Sequence, residues 1–430
     1  MKRLNGILLP HRKRTESRMT EDLPMSEIVR IPMLMHMGAP CEPCVKPGDP
    51  VTVGQKIGSM IHEFSAPIHA SVSGKVKAIS QYQTQNSKLV PCVEIEPDGL
   101  QTLYAGIRPP KLETKEDLIR AVRESGCVGL GGAGFPTHVK LNTTNQIDML
   151  ILNGAECEPY LTTDCRLMTE AADEIIGGVC LLMRLLGIKE TRIGIEANKP
   201  AAIAQLSEAC EEFVDVKIVP LPPKYPQGAE KVIVYHTCGR VVPEGKIPAD
   251  VGVIVMNVST CAFIYRYSKT GMPLVTRCVT VDGDAVKRPC NLRVPIGAPI
   301  GELLEFAECD MDSVHQMLSG GPMMGQALYS PDQPVTKQQN GLLAMKTAKK
   351  VHATACIRCG RCMQACPLRL MPMELERGFR TKDVVSLKKH HVHLCMGCGC
   401  CSYVCPAKRP LAESIQLAKL LPGTKGGAAT

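Results

Sequence analysis

Along the chain the spacing of apolar positions changes period several times. From 31 to about 96 short β segments are punctuated by Gly and Pro (VKPGDPV, VGQKIG, APIHASVSGKV), which predicts a small all-β unit, a barrel or sandwich. Pro109, Pro110 and Lys111 read as a linker. Thr114 with Asp117 then caps a helical pattern through Leu118, Ile119, Ala121 and Val122 that stops at Gly126. Beyond a glycine-rich loop, apolar runs alternate with helical periods: strand 149–152, helix 169–186, strand 193–196, helix 200–213 and strand 216–219. This alternation predicts parallel βαβ units and a layered α/β domain. From 273 to 307 short β pieces return and lead into a helical stretch and the loop SGGPMMG, an α+β module. The last 95 residues, 336–430, carry the cysteine motifs and end in PGTKGGAAT, which reads as a frayed tail. The expected units are therefore 1–108 (barrel-sandwich), 112–265 (α/β), 266–335 (small α+β module) and 336–430.

Composition removes several function classes. Fifty Lys and Arg against 42 Asp and Glu leave a formal charge of +8 on 430 residues, too small a bias for nucleic-acid binding. With no Trp, nine Tyr and six Phe, the chain has few rings on which bases could stack. The longest greasy stretch, 175–188, is interrupted by Arg184 and falls short of a bilayer span, so no direct transmembrane segment is expected. The opening MKRLNGILLPHRKR lacks the apolar run of an export signal. Its 22 Cys are thus expected in a reducing compartment, where they serve metal or redox chemistry.

Cys356, Cys359, Cys362 and Cys366, followed by Pro367, keep the spacing C-x2-C-x2-C-x3-C-P, and Cys395, Cys398, Cys401 and Cys405, followed by Pro406, repeat it. Doubled in this way, the run is the pattern of bacterial two-cluster ferredoxins. Three thiolates of one run and the last of the other hold each 4Fe-4S cluster. The expected sets are Cys356, Cys359, Cys362 with Cys405, and Cys395, Cys398, Cys401 with Cys366. Two zinc knuckles are the bland alternative, but they need no fourth Cys-Pro in each copy. Cys400 breaks no spacing and reads as a packed thiol, and His390, His391 and His393 as surface or supporting residues. Lys346, Lys349, Lys350, Arg358, Arg361, Arg369, Lys388, Lys389, Lys408 and Arg409 either steer an acidic electron partner or only offset cluster charge.

Gly126, Gly129, Gly131, Gly132 and Gly134 precede Phe135, with Lys140 beyond. Such glycines admit a phosphate close to the backbone, and a helix N-terminus after them would add donors. The loop follows a helix and not a strand, and it has no GK[ST], so it is neither a dinucleotide fingerprint nor a triphosphate loop; a tight turn has the same glycines. Strand 149–152 ends in NGAECEP, which puts Asn153 and Glu158 where α/β folds bind ligands, although Asn at a strand end is also a common cap.

Taken together, GLGGAGFPTHVKL, NGAECEPYLTTD, YPQGAEK, MNVST, SGGPMMG and CMGCGCCSYVCPAKRPL resemble the C subunits of Rnf-type electron-transport complexes over nearly the whole chain. The middle also looks like the flavin-bearing, NADH-oxidising subunit of respiratory complex I. The resemblance implies FMN beside an NAD(H) site, two 4Fe-4S clusters, and a peripheral place on the cytoplasmic face of a membrane complex. Its partners would be the integral-membrane and flavoprotein subunits of that complex, with ferredoxin reached indirectly. It also implies a multidomain α/β fold: a biotinyl-lipoyl-like barrel-sandwich, a Rossmann-like flavin/NADH domain, a soluble-ligand-binding β-grasp module and a two-cluster ferredoxin domain. Gly129, Gly131, Gly132 and Gly134 with Lys140 would hold the flavin phosphate and Asn153 and Asn257 would contact FMN, while Phe135, Glu158 and Glu230 would border the nicotinamide nucleotide. Ala155 stands where the complex I relative has Asp, and APIHASVSGKV has no Lys at its hairpin tip, so a barrel without lipoate or biotin is expected. Three rivals share parts of this pattern: a cobalamin reductase of a bacterial microcompartment, which has its flavin loop near the N-terminus and its barrel late; a proline-reductase electron donor, which Cys41, Cys44 and Cys127 keep open; and an iron-sulfur scaffold without nucleotide binding.

Overall fold

The computed structural model describes residues 4–84, 87–347 and 352–424; Lys349, Lys350 and the tail from Lys425 lie outside the described residues. The first β unit consists of two small sheets. Val29–Pro32, Leu89–Pro97, Gly74–Gln83 and Pro50–Val51 form one, and Glu42–Pro43, Lys56–Ser59 and Ile68–His69 the other. Between them lies an aliphatic filling of Val29, Ile31, Met33, Ile57, Ile68 and Val93.

Residues 4–22 take no part in that unit. Ile7 pairs with Tyr225, the stretch around Lys13 lies along the loop after Met149–Gly154, and Thr20–Asp22 adds a parallel edge strand beside Cys290–Pro295. The segment is too polar and too short of alternation for its period to reveal these contacts. It works as a strap across the two units that follow.

The α/β unit is a four-stranded parallel sheet in the order Val216–Leu221, Glu190–Glu196, Met149–Gly154, Val253–Asn257. Alternate residues of each strand enter separate cores, which is why the strands read as unbroken apolar runs. Leu150, Leu152, Ile193, Ile195 and Ile254 lie under the helices Lys115–Glu124, Ala172–Leu186 and Val258–Thr270. Met149, Ile151, Val253 and Val255 meet Ile233 and Val234 of the helix Glu230–Cys238 on the other face. The capping box at Thr114 and Asp117 forms as its residues dictate. One expected helix, 169–186, is instead two: Thr163–Glu170 and Ala172–Leu186 are separated at Ala171, whose φ of −145° leaves the helical region. Contacts at both ends pin the first of these helices. Glu170 accepts from the Thr20 amide of the strap (3.0 Å), and Asp164 is held at the site described below.

A six-stranded mixed sheet follows, in the order Thr20–Asp22, Cys290–Pro295, Thr276–Asp282, Gly341–Met345, Gln316–Ser319, Gln326–Leu328, with the helix Ile300–Phe306 packed on it. An expected boundary at 335 would cut this sheet, because Gly341–Met345 is one of its inner strands, parallel to Thr276–Asp282. The C-terminal unit is helical, built from Arg361–Ala365, Pro372–Arg380, Val384–Lys389, Cys400–Tyr403 and Leu411–Ala418. A buried Arg409–Glu376 ion pair ties it internally.

Candidate functional site

The strand order places the site. The chain leaves Met149–Gly154 toward Glu190–Glu196 on one side and returns to add Val253–Asn257 on the other, so the crossovers diverge between the carboxyl ends of two neighbouring strands. Such divergence opens a crevice at the strand ends. Asn153 and Asn257 close those two strands and are paired in register. Asn153 Nδ2 donates to the Gly228 carbonyl (2.8 Å), and its Oδ1 accepts from the Ala155 amide (3.2 Å). Asn257 Nδ2 donates to Asp164 Oδ2 (2.7 Å), while its Oδ1 caps the helix Val258–Thr270 through the Ser259 amide (2.9 Å). Ser259 Oγ completes the triangle on Asp164 Oδ1 (2.6 Å).

The glycine loop folds over this crevice. It is a closed turn, with the Gly129 amide on the Phe135 carbonyl (2.8 Å) and the Gly134 amide on the Gly129 carbonyl (3.1 Å). Leu130 is held from both sides: its amide donates to Thr260 Oγ1 (3.0 Å) and its carbonyl accepts from the buried Arg277 (2.6 Å). A side chain on Gly131 would press on Asn257 at 3.3 Å, whereas Gly132, at φ +109°, has nothing within 4 Å on that side. Among the described residues the amides of Gly131, Gly132 and Ala133 have no acceptor. The expected helix N-terminus is not part of this cradle. The chain first returns through a Val128–Pro136 bridge, and the helix that follows, Thr137–Leu141, is only five residues long. Lys140 on it donates to Glu230 Oε1 (2.9 Å) and the Val255 carbonyl (3.0 Å), with its ammonium 5.9 Å over the Phe135 ring. Phe135 in turn meets Phe64 of the first unit edge-on at 5.2 Å.

Glu158 stands apart from this group. Its carboxylate accepts from the amides of Met323 (3.0 Å) and Met324 (2.8 Å), so it anchors SGGPMMG to the end of the sheet, and burial raises its pKa. The loop that carries it is braced from beneath. Lys13 donates to the carbonyls of Glu156 (2.9 Å), Glu158 (2.9 Å) and Leu161. Lys199 donates to the Ala155 carbonyl (2.7 Å) and Glu196 (2.8 Å). Glu156 accepts from the amides of Asp164 (2.8 Å) and Cys165 (3.2 Å), and burial, opposed by Lys13, lifts it to about 7. Asp164, Ser259, Thr260, Arg277 and Lys13 were not singled out from the sequence. Arg277 had a signal, a cation on the inward side of an otherwise apolar alternation; Lys13 had none.

The eight motif cysteines divide between two cavities of near-equal size. Cys366, Cys395, Cys398 and Cys401 line the first, with Cys400. Cys356, Cys359, Cys362 and Cys405 line the second. In each, three thiols of one run meet the last thiol of the other, and the glycines at 360 and 399 take the left-handed turn that starts each short helix. Cys356 and Cys359 are exposed, whereas Cys400 is buried, its Sγ reaches the Tyr225 carbonyl (3.9 Å), and its thiol holds the neighbouring Cys398 down to about 7. The three histidines lie outside both cavities; His391 pairs with Glu244 (2.7 Å) and His393 with the Thr424 carbonyl (2.5 Å).

Four families match along the chain in this order: an RnfC barrel sandwich hybrid domain over 2–100, a Nuo51 FMN-binding domain over 122–266, an SLBB domain over 278–327 and a 4Fe-4S dicluster domain over 348–412. The chain is 42% identical over 428 residues to the C subunit of the Na(+)-translocating ferredoxin:NAD(+) oxidoreductase complex of Acetobacterium woodii, covering 96% of this chain and 95% of that one. It is 42% identical over 373 residues to the proton-translocating counterpart of Clostridium ljungdahlii (85% and 81%), and 41% identical over 420 residues to the C subunit of the ion-translocating oxidoreductase complex of Rhodobacter capsulatus (95% and 80%). Among solved structures, an NAD+-reducing NiFe-hydrogenase in the air-oxidized state shares the fold at a TM-score of 0.52 and 18% identity. That match covers 71% of this chain and 61% of the hydrogenase chain. No helix among the described residues is long and apolar enough to cross a membrane.

Proposed function

Because the chain belongs to the family of C subunits of ion-translocating ferredoxin:NAD(+) oxidoreductase complexes, we propose that it carries electrons between NAD(H) and partner subunits through FMN and two 4Fe-4S clusters. It is an electron-transfer subunit of an oxidoreductase complex, with an FMN-binding domain and a dicluster domain. We place it peripherally on the cytoplasmic face of the membrane, against integral-membrane and flavoprotein subunits, with ferredoxin reached only through them. In finer fold terms we read a biotinyl-lipoyl-like barrel, a Rossmann-like flavin domain, a β-grasp module and a ferredoxin-like tail.

The observation that carries this reading is the crevice between Asn153 and Asn257, roofed by a glycine loop with free amides, in the same chain as two four-thiol cavities. These residues suit the groups assigned to them. The open Cβ side of Gly132 and the unpartnered amides of 131–133 form a concave, donor-lined surface of the kind that holds a phosphate. Four thiols around one cavity supply the ligands of a cubane. A bound flavin supplies the exchange between hydride chemistry, which moves electrons in pairs, and the single-electron traffic of the clusters.

The protein's contribution is placement. Gly129, Gly131, Gly132 and Gly134 would hold the flavin phosphate, with the charge of Lys140 tempered by Glu230. Asn153 and Asn257 would meet the flavin from the strand ends. Phe135 and Glu230 would border the nicotinamide nucleotide; Glu158 would do so through the SGGPMMG loop that it fixes. The crossed sets Cys356, Cys359, Cys362, Cys405 and Cys395, Cys398, Cys401, Cys366 would ligate the two clusters. Anaerobic addition of NADH to the reconstituted full-length chain should bleach its flavin absorbance. A chain bleached by dithionite but not by NADH would reject the nucleotide site and leave only the iron-sulfur scaffold.

A further inference from the structure

A small apolar junction joins the nucleotide crevice to the C-terminal unit. Ile7, Tyr225, Ala365 and Cys400 form its centre, and Cys157, Met323 and Cys398 pack against it. Separate stretches of chain meet here, each tied to something already described. Cys157 follows Glu156 in the acidic loop, and its Sγ accepts from the Gly228 amide (3.4 Å), next to the carbonyl that binds Asn153. Met323 lies in the loop fixed by Glu158, and its carbonyl is 3.2 Å from where a side chain on Gly399 would begin. Ala365 and Cys400 adjoin Cys366 and Cys401. Of the two thiol cavities, the one lined by Cys366, Cys395, Cys398 and Cys401 therefore faces the crevice. Cys398 and Cys400 of this junction line that cavity, whereas no residue of the junction lines the other.

Tyr225 sits at the middle of this junction. Its backbone is fixed on both sides by Ile7 (2.9 and 3.0 Å), and its carbonyl lies 3.9 Å from Cys400 Sγ. It is only 3% exposed, and its hydroxyl has no hydrogen-bond partner among the described residues. Leaving a buried hydroxyl unpaired is destabilising, a cost that a phenylalanine in the same place would not incur. A tyrosine here thus makes sense if an acceptor comes from outside the polypeptide. The groups within electrostatic reach of the hydroxyl are Glu158 and Cys157 on the crevice side and Cys398 and Cys400 on the thiol side. The hydroxyl bonds to neither Glu158, which accepts two amides, nor Cys157, which accepts from Gly228, although both are in reach, whereas a cluster held by Cys398 would bring further sulfur acceptors to its other side.

We propose that the Tyr225 hydroxyl donates a hydrogen bond to the sulfur of the cluster held by Cys366, Cys395, Cys398 and Cys401, and that this cluster is the one next to the flavin. The inference rests on the two-cluster reading given above. A hydrogen bond to cluster sulfur favours the reduced, more negative state, so the donor raises the potential of that cluster relative to the same site without it. Tyr225 is in this sense a positioning and tuning residue, which biases where an electron rests between the crevice and the exposed second cluster.

The test is a potentiometric titration, followed by electron paramagnetic resonance, of the anaerobically reconstituted full-length chain. Wild type should first hold about eight irons; a count far below that sinks the two-cluster reading itself and not this inference alone. With that count met, Tyr225→Phe should keep its iron and lower the potential of one cluster, the one whose signal Cys366→Ser perturbs, leaving the other in place. Ile7→Val, at the same junction but with the hydroxyl and every thiol intact, should move neither. Unchanged potentials in Tyr225→Phe, equal shifts of both clusters, a shift in the flavin alone, or loss of iron would each overturn the proposal. So would an Ile7→Val shift as large as that of Tyr225→Phe, since packing would then explain both.

Discussion

Single residues decide the site through contacts that no local pattern announces. Lys13 is the plainest case: it sits in a polar N-terminal stretch, yet its ammonium is enclosed by three carbonyls of the loop that carries Glu156 and Glu158. Removing it leaves those carbonyls unmatched and takes away the nearby cation that opposes the burial of Glu156. Lys13→Met should therefore cost roughly 3 kcal/mol of stability, read as a lower denaturant midpoint; a change below about 0.5 kcal/mol would mean that the strap only rests on the loop. Asn257 was identified by resemblance as a flavin contact. The structure adds that it also caps a helix and grips Asp164, so its conformation is set before any ligand arrives.

At the scale of elements, the two cysteine runs show how much a spacing can specify. Each run fixes three thiols on one tight turn and ends on a fourth just before a proline, and the short helices Arg361–Ala365 and Cys400–Tyr403 then pack together so that the fourth thiol joins the other group. Cys366→Ser should accordingly perturb the cluster at Cys395, Cys398 and Cys401 and spare the one at Cys356, Cys359 and Cys362, seen as a change in one of two magnetic signals. Damage confined to its own run would disprove the crossing. The α/β helices and strands were readable wherever burial imposed a period. The split at Ala171 was not, because an uninterrupted helical composition spans it and the break answers to contacts with Thr20 and Asn257 made elsewhere. The strand Val253–Asn257 is an apolar run bounded by Gly252 and the helix cap Asn257, a usable signal, and it is the strand whose placement creates the crevice.

Across the whole molecule, the units are sewn together by buried polar groups. Lys337 is fully buried and donates to the carbonyls of Pro67 (2.7 Å) in the first unit and Gly126 (2.8 Å) in the second, with burial lowering its pKa to about 8. His36, His69 and His138 are buried near the same interface with one ring nitrogen each unpartnered. Burial, aided by Lys337, lowers His36 to about 4 and His69 to about 3, and burial lowers His138 too. An unfolded histidine takes up its proton near pH 6.5. Below that pH, down to about 4, the unfolded chain binds protons that the folded chain refuses, so stability falls as the pH drops through this window. The melting temperature should decline from pH 7 to 5, and His69→Asn should flatten the decline. An unchanged slope in that variant would place the acid sensitivity elsewhere.

The sequence by itself determined what depends on neighbours along the chain: the βαβ alternation, the capping box at Thr114, the thiol spacing and the glycines of 129–134. Each is a local requirement of period, turn or ligand geometry. Tertiary structure alone decided which strand lies beside Met149–Gly154, where the N-terminal strap runs, which thiol cavity faces the crevice, and that Tyr225 is left with a donor and no acceptor among the described residues. Those outcomes depend on burial and pairing between residues far apart in the chain, and the energy of such contacts leaves no period along it.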